Sequence, residues 1–171
     1  ADYKEKTNAI DGVGGVKVHP IWNGGGTVKL VVMDSTFSVP SDALIQVVQT
    51  EIDPTQNSGL GYGIAPIGHT VTVVKCGSTT IDVSFSLTFQ TGYTWETVKP
   101  SVEAMMDAYL SELKLTWEDT SNIVVRISQI ETRILDLAGV LDISGTTING
   151  DASNLVVDAD NIPVKGAITN V

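Results

Sequence analysis

The chain has 171 residues and a mass of 18.1 kDa, enough to bury a substantial core as one domain or two small lobes. Hydrophobic residues make up 42% and the mean hydropathy is +0.16, values that exclude a disordered polar chain. Its 20 acids and 10 bases give a formal net charge of −10, and the bases are scattered singly, which excludes the basic footprint that displaces counterions from nucleic-acid phosphates.

From Pro100 onward 11 acids face 4 bases, so this half carries −7 of the −10 and reads as a solvated surface. The single cysteine, Cys76, ends an apolar strand, reads as a small hydrophobe and leaves no internal disulfide or multi-cysteine metal site. The chain opens on ADYKEKTNA with no apolar signal region. No window approaches the roughly 18 apolar residues of a membrane helix, so no membrane insertion is expected. The abrupt polar start without Met reads as a piece of a longer chain.

Residues 1–12 are polar and read as a short helix or a tail. Val13–Pro20 alternates as a strand, IWNGGG forms a turn, and Thr27–Asp34 (TVKLVVMD) is a second strand, together a hairpin. Leu44, Ile45, Val48 and Ile52 recur at helical spacing, predicting a helix over Ser41–Ile52 that starts at Pro40 or Ser41 and stops at Asp53-Pro54. Asn57–Val74 (NSGLGYGIAPIGHTVTVV) is too rich in Gly and Pro for helix, then resolves into a strand over Thr70–Cys76.

Thr79–Gln90 alternates apolar and polar residues, the pattern of a half-buried strand at an antiparallel edge or in a mixed sheet. A second helix is expected from Thr97, as N-cap, to about Lys114, with Pro100 in its first turn and Met105 and Met106 as core filler. Ile123–Ile127 reads as extended. Ser128 and Glu131 match a capping box for a third helix ending at Ala138, before Gly139. Val140–Ser144 reads as a strand, GTTINGDAS as a turn region, and Leu155–Asp158 and Lys165–Thr169 as weaker strands.

The order strand, linker, proline-marked helix occurs twice, around Pro40 and around Pro100. It predicts an α+β fold of two small lobes, residues 1–77 and 78–171, each a mixed or antiparallel sheet with one or two packed helices.

Four residue sets invite chemistry. Gly59, Gly61 and Gly63 resemble a phosphate loop, but a helix precedes them and a strand follows, the reverse of the dinucleotide order. His19 and His69 lack the paired spacing of a zinc site, and no GxSxG elbow accompanies them. Asp151, Asp158, Asp160 and Asn161 form the best metal-like cluster yet lack the calcium-loop pattern. Trp22, Trp95 and Trp117 lie beside turns or helix ends and suit a sugar-binding face, a protein interface or lobe-edge packing. No catalytic residue, cofactor, metal or small-molecule substrate is expected.

In GVGGVKVHPIWNGGGTVKLVVMD, the helix ending Ile52-Asp53-Pro54, GLGYGIAPIGHTVTVV, TTIDVSFSLTF, ETVKPSVEAMMDAYL and ISQIETRILDLAGVLDI, the chain resembles the C-terminal half of the baseplate J-like family of contractile-tail bacteriophages and prophage particles. The resemblance covers about Gly12 to Ile143 and is weakest over the last 25 or so residues. It implies a non-enzymatic structural component of the tail baseplate ring or wedge, assembled in the host cytoplasm. It also implies contact with other baseplate and tail proteins and with further copies of itself. The alternative is a carbohydrate- or receptor-binding module of the tail. Candidate interface residues are Gly59, Gly61, Tyr62, Gly63, Pro66, Gly68, Trp22 and Trp95.

Overall fold

In the computed structural model, which describes residues 2–171, the chain begins with a short helix, α1 (Tyr3–Asn8), capped by Asp2, whose Oδ1 accepts from the Glu5 N–H. Two compact units follow from the contacts, Ala1–Gly77 and Ser78–Val171, and both mix helices with small sheets, an α+β fold.

In the first unit, β1 (Val13–Pro20) and β2 (Thr27–Asp34) form an antiparallel hairpin. Helix α2 (Asp42–Ile52) then carries the chain to β3 (Thr70–Lys75), which lies parallel to β2 in register from Thr27↔Thr70 to Val32↔Lys75. A parallel pair needs such a crossover, and α2 supplies it. Ser41 caps α2 by accepting from the Leu44 N–H. The core takes alternate residues of the sheet (Val16, Val28, Leu30, Val32, Val71 and Val73) and closes them with Val48 and Ile52 of α2 and Tyr3 of α1. Each fully buried aliphatic side chain contributes about 1.5–3 kcal/mol, and a one-residue slip would move that whole set to the other face, so burial holds the register.

In the second unit, β4 (Gly77–Phe89) is followed by α3 (Trp95–Leu115), β5 (Val124–Val125), α4 (Ile127–Leu135), β6 (Val140–Ile148), β7 (Leu155–Val156) and β8 (Asn161–Asn170). The sheet order is β6-β4-β8, with β4 and β6 antiparallel, and β5 pairs with β7 as a separate antiparallel ribbon. Helix α3 packs on β8, and α4 packs on β6 and α3. Met106 of α3 is fully buried, and so is Trp117 just beyond the helix, whose Nε1 donates to the Asn161 carbonyl at 3.1 Å.

Several expectations change in this unit. Strand β4 is the middle strand, not an edge, because two strands from the C-terminal half return to flank it. Helix α3 starts two residues before Thr97: Thr94 is the N-cap, and Thr97 Oγ1 accepts from the Thr94 N–H at 2.9 Å. Pro100 therefore lies inside the helix, where its missing N–H leaves the Glu96 carbonyl without its ladder donor, yet the helix continues to Leu115. The capping box at Ser128 and Glu131 does not form. Helix α4 has already begun at Ile127, and the Glu131 carboxylate accepts from Thr146 Oγ1 of β6 instead. That helix ends at Leu135, short of Ala138, while β6 runs four residues past Ser144 and turns at Asn149-Gly150.

Candidate functional site

The Gly-rich stretch after α2 is shaped by one buried carboxylate. Asp53, directly beyond the helix, is 1% exposed. Its Oδ1 accepts from the Gly59 N–H at 3.0 Å, and its Oδ2 accepts from Ser58 Oγ at 2.7 Å and from the Val71 N–H at 2.8 Å. One side chain thus ties the start of the loop to the strand at its end. A buried charge is tolerated where three donors converge on it. The Gly68 N–H donates to the Gly59 carbonyl and closes the loop at its neck. The Ile64 and Ala65 N–H groups donate to the carbonyls of Glu51 and Ile52 at the end of α2. Gly63 passes so close that an added Cβ would lie 2.5 Å from the Ile52 carbonyl oxygen, which only glycine permits. Across the loop exit, the Tyr3 hydroxyl and His69 Nδ1 lie 2.7 Å apart, with the two rings stacked.

This architecture does not cradle a phosphate. The Gly59 and Gly68 amides are already used within the loop, and the group at its centre is an anion. What the loop does is present side chains. Leu60, Tyr62 and Ile67 are 57%, 73% and 80% exposed.

The β1–β2 hairpin turn reaches the same end of the sheet. The Thr70 N–H donates to the Gly26 carbonyl, and Gly26, at φ +78°, approaches the Gly68 carbonyl oxygen so closely that a Cβ would stand 2.7 Å from it. That turn carries exposed Ile21 and Trp22, with Lys29 Nζ 5.4 Å from the centroid of the Trp22 ring. Ile21 adopts φ +57°, a left-handed conformation that costs a β-branched residue of order 1–3 kcal/mol and marks a site of function more often than chance.

The two segments share a chemical property. Residues 18–28 and 54–74 contain no Asp, Glu, Lys or Arg, in a chain where 18% of residues are charged. Charge depletion with exposed Trp and Tyr is the compositional mark of a protein-interface core.

Of the sequence candidates, the structure thus groups Trp22 with Gly59, Gly61, Tyr62, Gly63, Pro66 and Gly68 at one end of the first unit. Trp95 belongs to the second unit, where it is half-buried with its ring edge-on to Phe85 at 5.8 Å. Trp117 is core. In the acidic cluster, Asn161 is a structural residue whose Nδ2 donates to Thr79 Oγ1. Among the described residues no group of three His, Cys, Asp or Glu side chains is placed to hold a metal. Ile21, Leu60, Ile67 and Asp53 were missed from sequence, and the long charge-free stretches were the signal that could have found the first three.

Comparison with known proteins bears on the whole chain. Residues 1–75 match the model of the baseplate J-like central domain, and residues 81–171 match that of the baseplate J-like protein C-terminal domain. The chain is 38% identical over 168 residues to the uncharacterized protein YqbT of Bacillus subtilis (strain 168), covering 98% of this chain and 46% of that protein. It is 36% identical over 166 residues to the phage-like element PBSX protein XkdT of the same organism, covering 97% of this chain and 46% of that one. The chain therefore spans about half the length of the curated relatives it matches. A chain in the cryo-EM structure of the anti-feeding prophage (AFP) baseplate, 6-fold symmetrised, shares the fold with a TM-score of 0.55 at 9% identity, over 95% of this chain and 36% of that one. With residues 1–75 and 81–171 matched by these two domain models, this chain belongs to the baseplate J-like family.

Proposed function

We propose that the chain is a structural component of a contractile phage or prophage tail baseplate, acting as a protein–protein assembly module and not as an enzyme. The observation that carries this reading is the charge-poor, aromatic-bearing end of the first unit, built from two charge-free stretches with Lys29 beside the Trp22 ring, in an otherwise acidic chain. Its loop is tied down by Asp53, so the exposed Leu60, Tyr62 and Ile67 are held before any partner arrives, which spares ordering entropy on docking. Trp22 stands beside them on the hairpin turn, which the bond from the Thr70 N–H to the Gly26 carbonyl joins to the loop exit. Repeated over a ring, contacts of modest individual strength become durable through effective concentration. Neighbouring baseplate and tail proteins, and further copies of the chain, are the partners this reading names.

The test is co-expression with each tail protein encoded beside this one. Co-purification that is lost in Trp22→Ala/Tyr62→Ala supports the reading, and association with none of them contradicts it. The carbohydrate-binding alternative drew on three tryptophans, of which Trp22 alone is exposed. Glycan-array binding that disappears in Trp22→Ala would favour that alternative.

A further inference from the structure

Strand β3 is paired on one side only, with β2, and its sequence TVTVV is the kind that templates pairing with another chain. Its outward backbone groups are met by Gln49 of α2 and by Asp53, the residue that caps the helix C-terminus. Gln49 Nε2 donates to the Val71 carbonyl at 2.9 Å and to the Asp53 carbonyl at 2.7 Å, while Gln49 Oε1 accepts from the Val73 N–H at 2.8 Å. Asp53 takes the Val71 N–H.

A residue on a parallel strand opposite Thr72 would do what Gln49 does: its N–H would donate to the Val71 carbonyl and its carbonyl would accept from the Val73 N–H. The primary amide reproduces the N–H and C=O of one residue of an absent strand. Its orientation is fixed by its partners, since a flip would set the nitrogen against an N–H and the oxygen against two carbonyls. Asp42, on the same stripe of α2, pairs with the Lys75 side chain at the far end of β3, Nζ to Oδ1 at 2.7 Å. Between helix and strand lies an open groove of about 480 Å³ lined by Ile45, Gln46, Gln49, Thr50, Thr55 and Val73. The edge is therefore closed by side chains reaching across a groove, and the helix backbone does not fill the space.

We propose that Gln49 is a strand surrogate that holds the β3 edge shut, and that without it β3 pairs with β3 of a second copy. An antiparallel two-fold pair sets the uncharged TVTVV runs against each other and leaves the two Lys75 side chains at opposite ends, with the Val71 N–H of each copy still held by Asp53. The inference stands independently of where baseplate partners dock.

Gln49→Met keeps the side-chain length and helix propensity but removes the amide. In dilute solution the Val73 amide of this variant should exchange about tenfold faster than in the wild-type chain. As concentration rises, sedimentation should show a dimer and protection at Val73 should return. Gln49→Glu keeps an acceptor for the Val73 N–H and sets two negative charges against a dimer, so it should stay free of that association. Should the methionine variant lose the fold, Gln49→Ala repeats the test with an emptier groove. A soluble Gln49→Met or Gln49→Ala chain that never dimerises, or that dimerises without protecting Val73, overturns the proposal.

Discussion

Both units tie distant segments together with polar side chains, one buried carboxylate in the first and two exposed side chains in the second. Asp53 is buried and serves three donors. In the second unit Asp82 Oδ1 accepts from the Ala167 N–H at 2.8 Å, and Asn149 accepts from the Asp82 N–H at 2.8 Å and donates to the Thr80 carbonyl at 3.0 Å, all in exposed positions. The bond counts are alike, but the consequences of loss are not. Water replaces a partner at the Asn149 turn, whereas behind the loop of the first unit a lost acceptor leaves its donors stranded.

The comparison can be broken in order of expected effect. Asp53→Ala should destabilise the first unit by about 3 kcal/mol, read by denaturant unfolding, with hydrogen exchange at Gly59 and Val71 locating the loss. A change under 1 kcal/mol would show that the carboxylate does not organise the loop. Gly63→Ala forces a methyl group against the Ile52 carbonyl and should cost about 2 kcal/mol, visible as a lowered Tm. Asn149→Ala should cost about 1 kcal/mol, the net value of exposed hydrogen bonds. If it matches Asp53→Ala, burial is not what separates the two sites.

The smallest effect is at alkaline pH. Burial, and then the charge of Asp53, raise the Tyr3 pKa above its ordinary value. The folded chain therefore holds the phenol proton more tightly than the unfolded chain does. The associated stability is complete below the unfolded pKa and is lost as pH rises through the folded one. Tyr3→Phe should flatten that alkaline decline in a series of unfolding curves, at the cost of the contact with His69.

The hairpin, α2 and the helix-to-strand loop were legible in the sequence because turn residues and apolar periods there agree with the tertiary structure. The second unit was less so. Ser128-Gln-Ile-Glu131 is a sound capping signal that lost to tertiary pairing, because Glu131 gains a bond to Thr146 and Arg126 donates its N–H to Tyr109 Oη, starting the helix earlier. The central place of β4 depends on β6 and β8 returning from far along the chain, which no local pattern records. At the candidate site, the exposed aromatics could be named from sequence, but the meeting of hairpin turn and loop could not. It rests on Gly26 and Gly68 coming together, 42 positions apart.

The central proposal is that this charge-poor end docks a neighbouring tail protein. Its most direct measurement is the affinity between the chain and any tail protein found to co-purify with it in the co-expression test, compared with that of Trp22→Ala/Tyr62→Ala at matched Tm and across a salt series. An interface built around uncharged aromatics should lose about 100-fold or more in Kd on that double substitution, with little dependence on salt. An unchanged Kd, or binding that weakens steeply with salt and ignores both aromatics, would contradict it.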